Sequence, residues 1–570
     1  MATSNFSITL MLYKANKRCI TLINKYAKLR ITMKINGAWK HRFLIVILLI
    51  AAFLLFTSLT DRYLWGDEAE VSLLSKNILA FGYPSMNDGR NIIFSDYKGD
   101  IILPVVTSGD YVWKWHPWLP HYVIAASFSL FGMSTFAARF PFALASLLTI
   151  ILTYFLALKI SNKKTANLAA LLLALYVPFY LYSRQSRYYA LAILLTVAVL
   201  YAYVKFLRSE RYAPVWLAAA LVLTFYTNYN AFFSLYLALG AHFLLFNYNW
   251  DKLKKLILIS LAVACLTLPW FLYASLGSKY QGFQYNILFG LAYLVAYFSL
   301  YIFPVVFWAL LYALFRKRLL GKEEASYYYL LLLFVSAALL VNVLIIPWEL
   351  PTFRYIIILF PVAAVLSARI IEAAWEHRRY MAIALLVLLV SSNALFIFLL
   401  KPVEPIALDY TEKDSESYFF VKENLQLRFL LWDYLYEITH HYEGPTEKLV
   451  NYLLEHGNRD DTFLTNTNDL SIIFYTDMIS YKVNEQLPDW VIPREASCSW
   501  GNLGKEACDY LANLLAENKD KYEEILIEST DYIYILDEPH PRTHRFRENA
   551  GMPVYRHETY PLKIYRLNNG

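Results

Sequence analysis

Residues 43–70 read FLIVILLIAAFLLFTSLTDRYLWGDEAE. The uncharged run Phe43–Leu59 lies at the short end of what crosses a bilayer as a helix, about 17–25 residues. Three carboxylates, Asp67, Glu68 and Glu70, follow close behind it. A span that opens onto acidic residues places them at the depth of lipid headgroups. An ionised carboxylate there can accept a proton from a hydroxyl or hold a divalent cation. Acids also favour the first turn of a helix, and Glu68–Phe81 reads as helical, so capping is an equally open reading of the same residues.

Upstream of this stretch, the first forty-two residues carry nine Lys and Arg, from Lys14 to Arg42. That segment reads as a basic cytoplasmic arm, part of it an interfacial helix through Phe6–Leu29, and not as a cleavable signal peptide. Downstream, ten more apolar runs follow: approximately Ala137–Leu158, Ala166–Tyr182, Tyr188–Leu207, Pro214–Thr227, Ala231–Phe246, Leu256–Ser275, Leu288–Phe315, Tyr327–Pro347, Tyr355–Trp375 and Tyr380–Leu400. With the arm in the cytoplasm, the turns returning there hold Lys159/Lys163/Lys164, Arg208/Arg211, Lys252/Lys254/Lys255, Arg316/Lys317/Arg318 and His377/Arg378/Arg379. Every one is basic, as the positive-inside rule requires. The opposite turns, at 61–120, 183–187, 228–230, 276–286 and 348–354, are poorer in Lys and Arg, apart from the short arginine-bearing turns that hold Arg184, Arg187 and Arg354. Trp118–Gly132 is too short to cross and would invert every later loop, so it reads as a helix at the outer interface, anchored by Trp113, Trp115 and Trp118.

Composition agrees. Apolar residues make up 58% and charged residues 17%, against about 45–50% and about 25% in soluble domains. The net charge of +7 sits in short turns between apolar runs, which excludes a nucleic-acid groove. No P-loop or strand-linked Gly-x-Gly-x-x-Gly is present, so no nucleotide site is expected. From Lys401 the chain is polar and mixes helical runs such as Thr446–Glu455 with strand-like runs at Thr462–Asn466, Ile479–Val483 and Tyr532–Leu536. The expected architecture is an α-helical polytopic membrane protein. It has a basic arm (1–42), about eleven transmembrane helices (43–400, with interfacial helices in the first outer loop, 61–136) and a soluble extracytoplasmic α/β domain (401–570). Cys498 and Cys508 can form a bridge in that compartment or stand as two thiols.

The motifs come in an order that resembles a known family. Trp65-x-Asp67-Glu68-Ala69 follows the first span. Lys114-Trp115-His116-Pro117-Trp118-Leu119-Pro120 comes next, then Phe131-Gly132-x-Ser134 with Arg139-Phe140-Pro141. Ser183-Arg184-Gln185-Ser186-Arg187-Tyr188-Tyr189-Ala190-Leu191 and Phe353-Arg354-Tyr355 with Pro361 complete the series. In this order they resemble the dolichyl-phosphate-mannose protein mannosyltransferase superfamily, the GT-C group that includes the aminoarabinose transferases of lipid A. The resemblance covers roughly Phe43 to Trp375.

It implies a GT-C-like fold in the plasma membrane and an inverting glycosyltransferase that takes a sugar from a polyprenyl-phosphate lipid. The acceptor would be an extracytoplasmic protein, glycolipid or polysaccharide. It implies Asp67 as catalytic base or metal-linked carboxylate and Glu68 as its helper. Arg184, Arg187 and Arg354 are then the candidates for the leaving phosphate, for which a planar guanidinium is suited; headgroup snorkelling is their other reading. His116, Arg139 and Tyr188 are further substrate-binding candidates, with a structural or headgroup-positioning role the other reading of Arg139. Asp67, Glu68 and His116 are a candidate divalent-cation set, which Glu70 could join. One departure stands out: several family members carry an acid near the position of Tyr188, which puts a two-carboxylate metal site across the loops in doubt. A lipid-linked-glycan transporter or flippase, opposed by spans almost without central charge and kept open by the helix-breaking Pro178, Pro269, Pro304 and Pro361, and a surface-polysaccharide ligase or polymerase are the alternatives.

Overall fold

The last carbonyls of an α-helix lack partners inside it, and at the end of the first span they are taken by arginine. The computed structural model describes residues 41–93, 111–276, 287–319, 322–345, 353–398, 400–403, 425–439, 444–466, 470–481, 486–493, 501–530 and 559–568. In it, helix α1 (Arg42–Phe56) is followed by an irregular turn with Ser58 at φ 51°. Arg184 donates to the carbonyls of Leu54 and Ser58 at 3.3 and 2.7 Å. Arg139 donates to those of Leu59, Arg62 and Tyr63 at 3.1, 2.8 and 3.1 Å. The turn delivers the chain into α2 (Gly66–Phe81), which has Asp67 and Glu68 in its first turn and stops at Gly82 in the left-handed region, φ 80°.

Helix α3 (Leu119–Phe131) packs along α2 and precedes α4 (Thr135–Ile160), capped by the Ser134 side chain. The run expected as one span over Ala166–Tyr182 is two helices, α5 (Lys163–Ala174) and α6 (Val177–Ser183), set at 63°. Then come α7 (Tyr189–Leu207), α8 (Ala213–Phe225), α9 (Tyr229–Phe246) and α10 (Trp250–Tyr273). The expected Leu288–Phe315 span is also bent, by 72°, into α11 (Ile287–Tyr301) and α12 (Val305–Leu319). Helix α13 (Lys322–Ile345), 3₁₀ turns at Phe353–Tyr355 and Ile357–Leu359, α14 (Phe360–His377), α15 (Arg379–Ser391) and α16 (Ala394–Ile397) follow. Proline explains both bends: Pro178 opens α6 and Pro304 immediately precedes α12, and neither has the N–H that would continue the preceding ladder. Pro269 lies within the continuous α10, and Pro361 in the first turn of α14.

The chain is a multi-pass membrane protein. Among the described residues six helical stretches are long and apolar enough to cross a bilayer, or up to eight when each bent pair counts as one span, in place of the eleven expected. The difference lies in α1, α8 and α15, which are apolar but shorter than a full crossing, as is α3 in the loop. The stretch 357–377 is 94% buried and forms the centre of the bundle, whereas α10 is only 17% buried and turns Leu258, Leu261 and Leu272 outward.

Beyond the bundle lie α17 (Leu430–Thr439), α18 (Pro445–His456), β1 (Thr462–Thr465), α19 (Leu470–Thr476), β2 (Ile479–Ser480), β3 (Trp490–Ile492), α20 (Gly501–Glu517), β4 (Tyr522–Thr530) and β5 (Thr559–Leu567). The strands form one mixed sheet in the order β2-β1-β3-β5-β4. Strand β1 is parallel to β2 and β3, and β5 is antiparallel to β3 and β4, with Phe463 opposite Trp490 and Ile525 opposite Ile564. Leu453, Phe463, Trp490 and Ile564 share one apolar core with Leu64, Val71 and Leu74 around α2 and with Ile124 and Phe128 of α3. The sheet and the first loop are therefore one packed body. Cys508 is disulfide-bonded to a partner outside the described residues, and Cys265 is a free, exposed thiol. The expected strand Tyr532–Leu536, the arm up to residue 40, Cys19, Cys498 and the loop acids Asp96, Asp100 and Asp110 also lie outside them.

Candidate active site

Asp67 and Glu68 leave the start of α2 in different directions, and their surroundings separate their roles. Glu68 is fully buried. Its carboxylate takes a bidentate pair from Arg139, Nε to Oε1 at 2.9 Å and Nη2 to Oε2 at 2.6 Å. It also accepts the Ser186 N–H at 2.8 Å. Arg139 has five N–H donors, and they make these two bonds and the three to turn carbonyls. The pair ties together α2, α4 and the turn between α6 and α7. Glu68, expected to help place the acceptor or a metal, is instead joined to Arg139; for Arg139 this fits the structural role that was one of its readings, and neither faces an open surface. Arg184 behaves likewise: besides the α1 carbonyls it donates to the Tyr434 hydroxyl at 3.0 Å and is buried there.

Asp67, Arg187 and Arg354 come together as expected, from three separate elements. Asp67 Oδ2 lies 2.9 Å from Arg187 Nη1 and 3.3 Å from Arg354 Nη1. Arg187 Nη1 also donates to the Asp67 carbonyl at 3.2 Å. Arg187 is buried, while the side chains of Asp67 and Arg354 are 27% and 31% exposed, so the cluster opens on the Asp67–Arg354 side. Guanidiniums are held in place by aromatic faces: the Arg187 guanidinium lies 5.9 and 5.8 Å from the ring centres of Tyr188 and Tyr189, and that of Arg354 5.4 Å from Tyr355. Among the described residues, the Nε of both arginines has no hydrogen-bond partner, and Asp67 Oδ1 accepts no bond. His116 stands at the edge of the same aromatic group, 6.3 Å from Tyr188 and 5.9 Å from Trp113, ring to ring.

Two further titratable groups belong here: Glu70, read from the sequence only as one of the acids that could hold a cation, and His121, which the sequence reading left without a role. Glu70 is half-buried and makes no hydrogen bond or ion pair among the described residues. Burial pushes its carboxyl up to about 7; Arg187 and Arg354 pull it down and the Asp67 charge pushes it further up. The signal was present in the sequence, since residues three apart on a helix are neighbours. His121, on α3, is fully buried, and neither ring nitrogen has a well-formed hydrogen bond. Burial, with Arg187 nearby, lowers it to about 3, so the ring is neutral at physiological pH. In sequence it is one polar residue in an apolar run, with nothing to mark it.

The Glu70 shift has a measurable consequence. A carboxyl at about 7 when folded, against 4.5 ordinarily, keeps its proton longer in the folded state than in the unfolded one. Folded stability therefore falls as pH rises between those two values and levels off above them. The Glu70→Gln variant lacks this titration. Its thermal midpoint should gain on wild type between pH 4.5 and about 7 and hold a constant lead above; a pH-independent difference would refute the shift.

Asp67, Glu68 and His116 were the candidate set for a divalent cation, with metal dependence left open. Among the described residues no group of three or more His, Cys, Asp or Glu side chains is assembled to hold one. Glu68 is closed off by Arg139, so the residues present do not form that site.

Residues 115–273, rather more than a quarter of the chain, match the family model described as dolichyl-phosphate-mannose-protein mannosyltransferase. The matched segment holds His116, Arg139, Arg184, Arg187 and Tyr188; Asp67 and Arg354 lie outside it. ArnT from Cupriavidus metallidurans bound to undecaprenyl phosphate superposes over 93% of this chain and 99% of its own, with a TM-score of 0.50 and 13% identity. The same enzyme in the apo state gives 0.49 and 14% over 81% and 94%. The archaeal oligosaccharyltransferase AglB from Archaeoglobus fulgidus, in complex with an inhibitory peptide and a dolichol-phosphate, gives 0.48 and 13% over 86% and 69%. At such identities the likeness is one of fold. A search of curated sequences finds no match. The chain thus shares its fold with a polyprenyl-phosphate-binding membrane protein, and its segment 115–273 is similar to the protein mannosyltransferase family.

Proposed function

We propose that this chain transfers a sugar from a polyprenyl-phosphate lipid to an extracytoplasmic acceptor, with inversion at the anomeric carbon. The observation that supports it most is the Asp67 carboxylate gripped on one oxygen by two arginines while its other oxygen and both arginine Nε groups are unused. Charge points the same way: two fixed cations face one ionised carboxylate and a Glu70 that is half-protonated near neutrality, which leaves the cluster short of negative charge. A lipid phosphate supplies it. On this reading the acceptor hydroxyl lies against Asp67 Oδ1, and its oxygen bonds to the anomeric carbon from the face opposite the phosphate. The proton passes to Asp67 as the bond from carbon to phosphate oxygen breaks, and the electron pair leaves on the lipid phosphate, stabilised by Arg187 and Arg354. His116 and Tyr188 flank the sugar. Should α1, α8 and α15 cross alongside the eight candidate spans, eleven passes result, and both the cluster and residues 401–570 lie outside the cytoplasm.

The test uses purified protein in liposomes with undecaprenyl-phosphate-linked radiolabelled sugars and an envelope fraction as acceptor. Labelled acceptor and free undecaprenyl phosphate are expected together. Donor moving between leaflets without being consumed would instead favour the flippase reading. Within the transfer reading, Arg354→Ala should raise the donor KM by about ten- to a hundredfold and Arg354→Lys by less, because a charge-assisted hydrogen bond contributes about 1.5–3 kcal/mol and lysine keeps the charge without the fork. Donor kinetics equal to wild type in both would remove Arg354 from phosphate binding.

A further inference from the structure

We infer that α18 and α19, from the far end of the chain, hold the acidic helix in its working position, and that Tyr475 is the positioning residue through which they do so. The inference rests on the catalytic reading of Asp67 given above. Tyr63 and Leu64 immediately precede Trp65, the N-cap of α2, and nearly every polar group on them is held by a distant residue. The Leu64 N–H donates to the Tyr475 hydroxyl at 2.8 Å, and the Leu64 carbonyl accepts from Ser471 Oγ at 2.7 Å. The Tyr63 N–H donates to Glu447 Oε1 at 2.8 Å, and the Tyr63 hydroxyl to Asn451 Oδ1 at 2.7 Å. The rings of Tyr63 and Tyr475 stack with centres 4.1 Å apart.

Tyr475 also reaches the other half of the site. Its hydroxyl lies 2.7 Å from Thr135 Oγ1, in the first residue of α4. Four residues on, that helix carries Arg139, the partner of Glu68. One phenol thus joins the entry of α2 to the start of α4, the same two elements that the Glu68–Arg139 pair joins one turn deeper. No bond from α18 or α19 reaches Asp67 itself. These helices act on it through Tyr63 and Leu64, with Trp65 and Gly66 as the lever between Leu64 and Asp67. A reacting group displaced by about 1 Å can lose about a hundredfold in rate.

Docking of the region does not depend on Tyr475 alone. Lys76, at the other end of α2, pairs with Asp477, and Asn91 bonds to Met478 and Ser480. Removing one hydroxyl therefore loosens the lever without undocking the sheet.

The experiment compares the full-length chain carrying Tyr475→Phe with Lys76→Met, which removes a docking contact distant from Asp67. For Tyr475→Phe, kcat is expected to fall about thirtyfold while the donor KM stays within about twofold, the signature of a lost transition-state alignment. Lys76→Met should keep kcat near wild type. Hydrogen exchange is read in parallel. The amides of Leu64–Glu70 should exchange about tenfold faster in Tyr475→Phe and unchanged in Lys76→Met, with α7 protected in both, as expected of local opening. Unchanged kcat and unchanged exchange in Tyr475→Phe would overturn the inference, as would a loss of activity matching only a loss of folded protein. If wild type turns over no donor, the transferase reading fails, and the clamp stands or falls on the exchange data alone.

Discussion

Asp67→Asn is expected to abolish sugar transfer, with turnover about a thousandfold below wild type, because a positioned base contributes about 10²–10⁴-fold. The substitution keeps the side chain's size and a carbonyl oxygen for Arg187 and Arg354, but removes the charge that accepts the proton. Folding should survive, since the start of α2 is fixed by Glu68, Arg139 and the contacts to Tyr63 and Leu64, not by Asp67. Purified variant and wild type are compared for donor turnover and for thermal midpoint. Normal turnover in the variant would remove Asp67 from the chemistry. A collapsed midpoint would show instead that the carboxylate's main task is to neutralise buried Arg187. Glu70 is the nearest carboxyl that could substitute for the base, so Asp67→Asn with Glu70→Gln separates residual activity through Glu70 from background.

The membrane bundle and the meeting of Asp67 with arginines from later turns were legible because bilayers impose crude rules. Apolar runs must be long, their basic ends face the cytoplasm, and carboxylates at a span's end are conspicuous. The bent spans were half-legible: Leu288–Phe315 is too long for one straight crossing, and Pro304 inside it was the signal, but hydropathy carries no direction. What could not be read was which arginine does what. Arg139, Arg184, Arg187 and Arg354 all sit at the ends of apolar runs. Only the folded chain shows the first two joined to carboxylate and turn carbonyls, and the last two joined on Asp67 with donors left over. The same limit hid Tyr475, whose partner Leu64 is 411 residues away. Tyr188 was read as a missing carboxylate. The folded site has a second carboxyl nonetheless, on the same helix as Asp67, and the Tyr188 ring borders Arg187 in place of an acid.

Glu68→Ala is expected to destabilise the protein by about 3–5 kcal/mol, the usual cost of removing one partner from a buried ion pair. The size follows from what remains: a guanidinium at 8% exposure with two of its bonds gone, and a Ser186 N–H without its acceptor. Because the pair closes the junction of α2, α4 and the turn before α7, activity should disappear together with folded protein. Glu68→Ala with Arg139→Met removes both charges and should recover part of the loss, although the carbonyls of Leu59, Arg62 and Tyr63 still lose their donor. Chemical unfolding in detergent gives the stabilities, and donor turnover per folded molecule gives the activity. If Glu68→Ala unfolds like wild type while transferring nothing, Glu68 acts on the substrate after all. If the loss is one of stability, the two neighbouring acids have divided the work: Glu68 builds the junction that aims the helix, and Asp67, one residue earlier and turned toward the opening, meets the substrate.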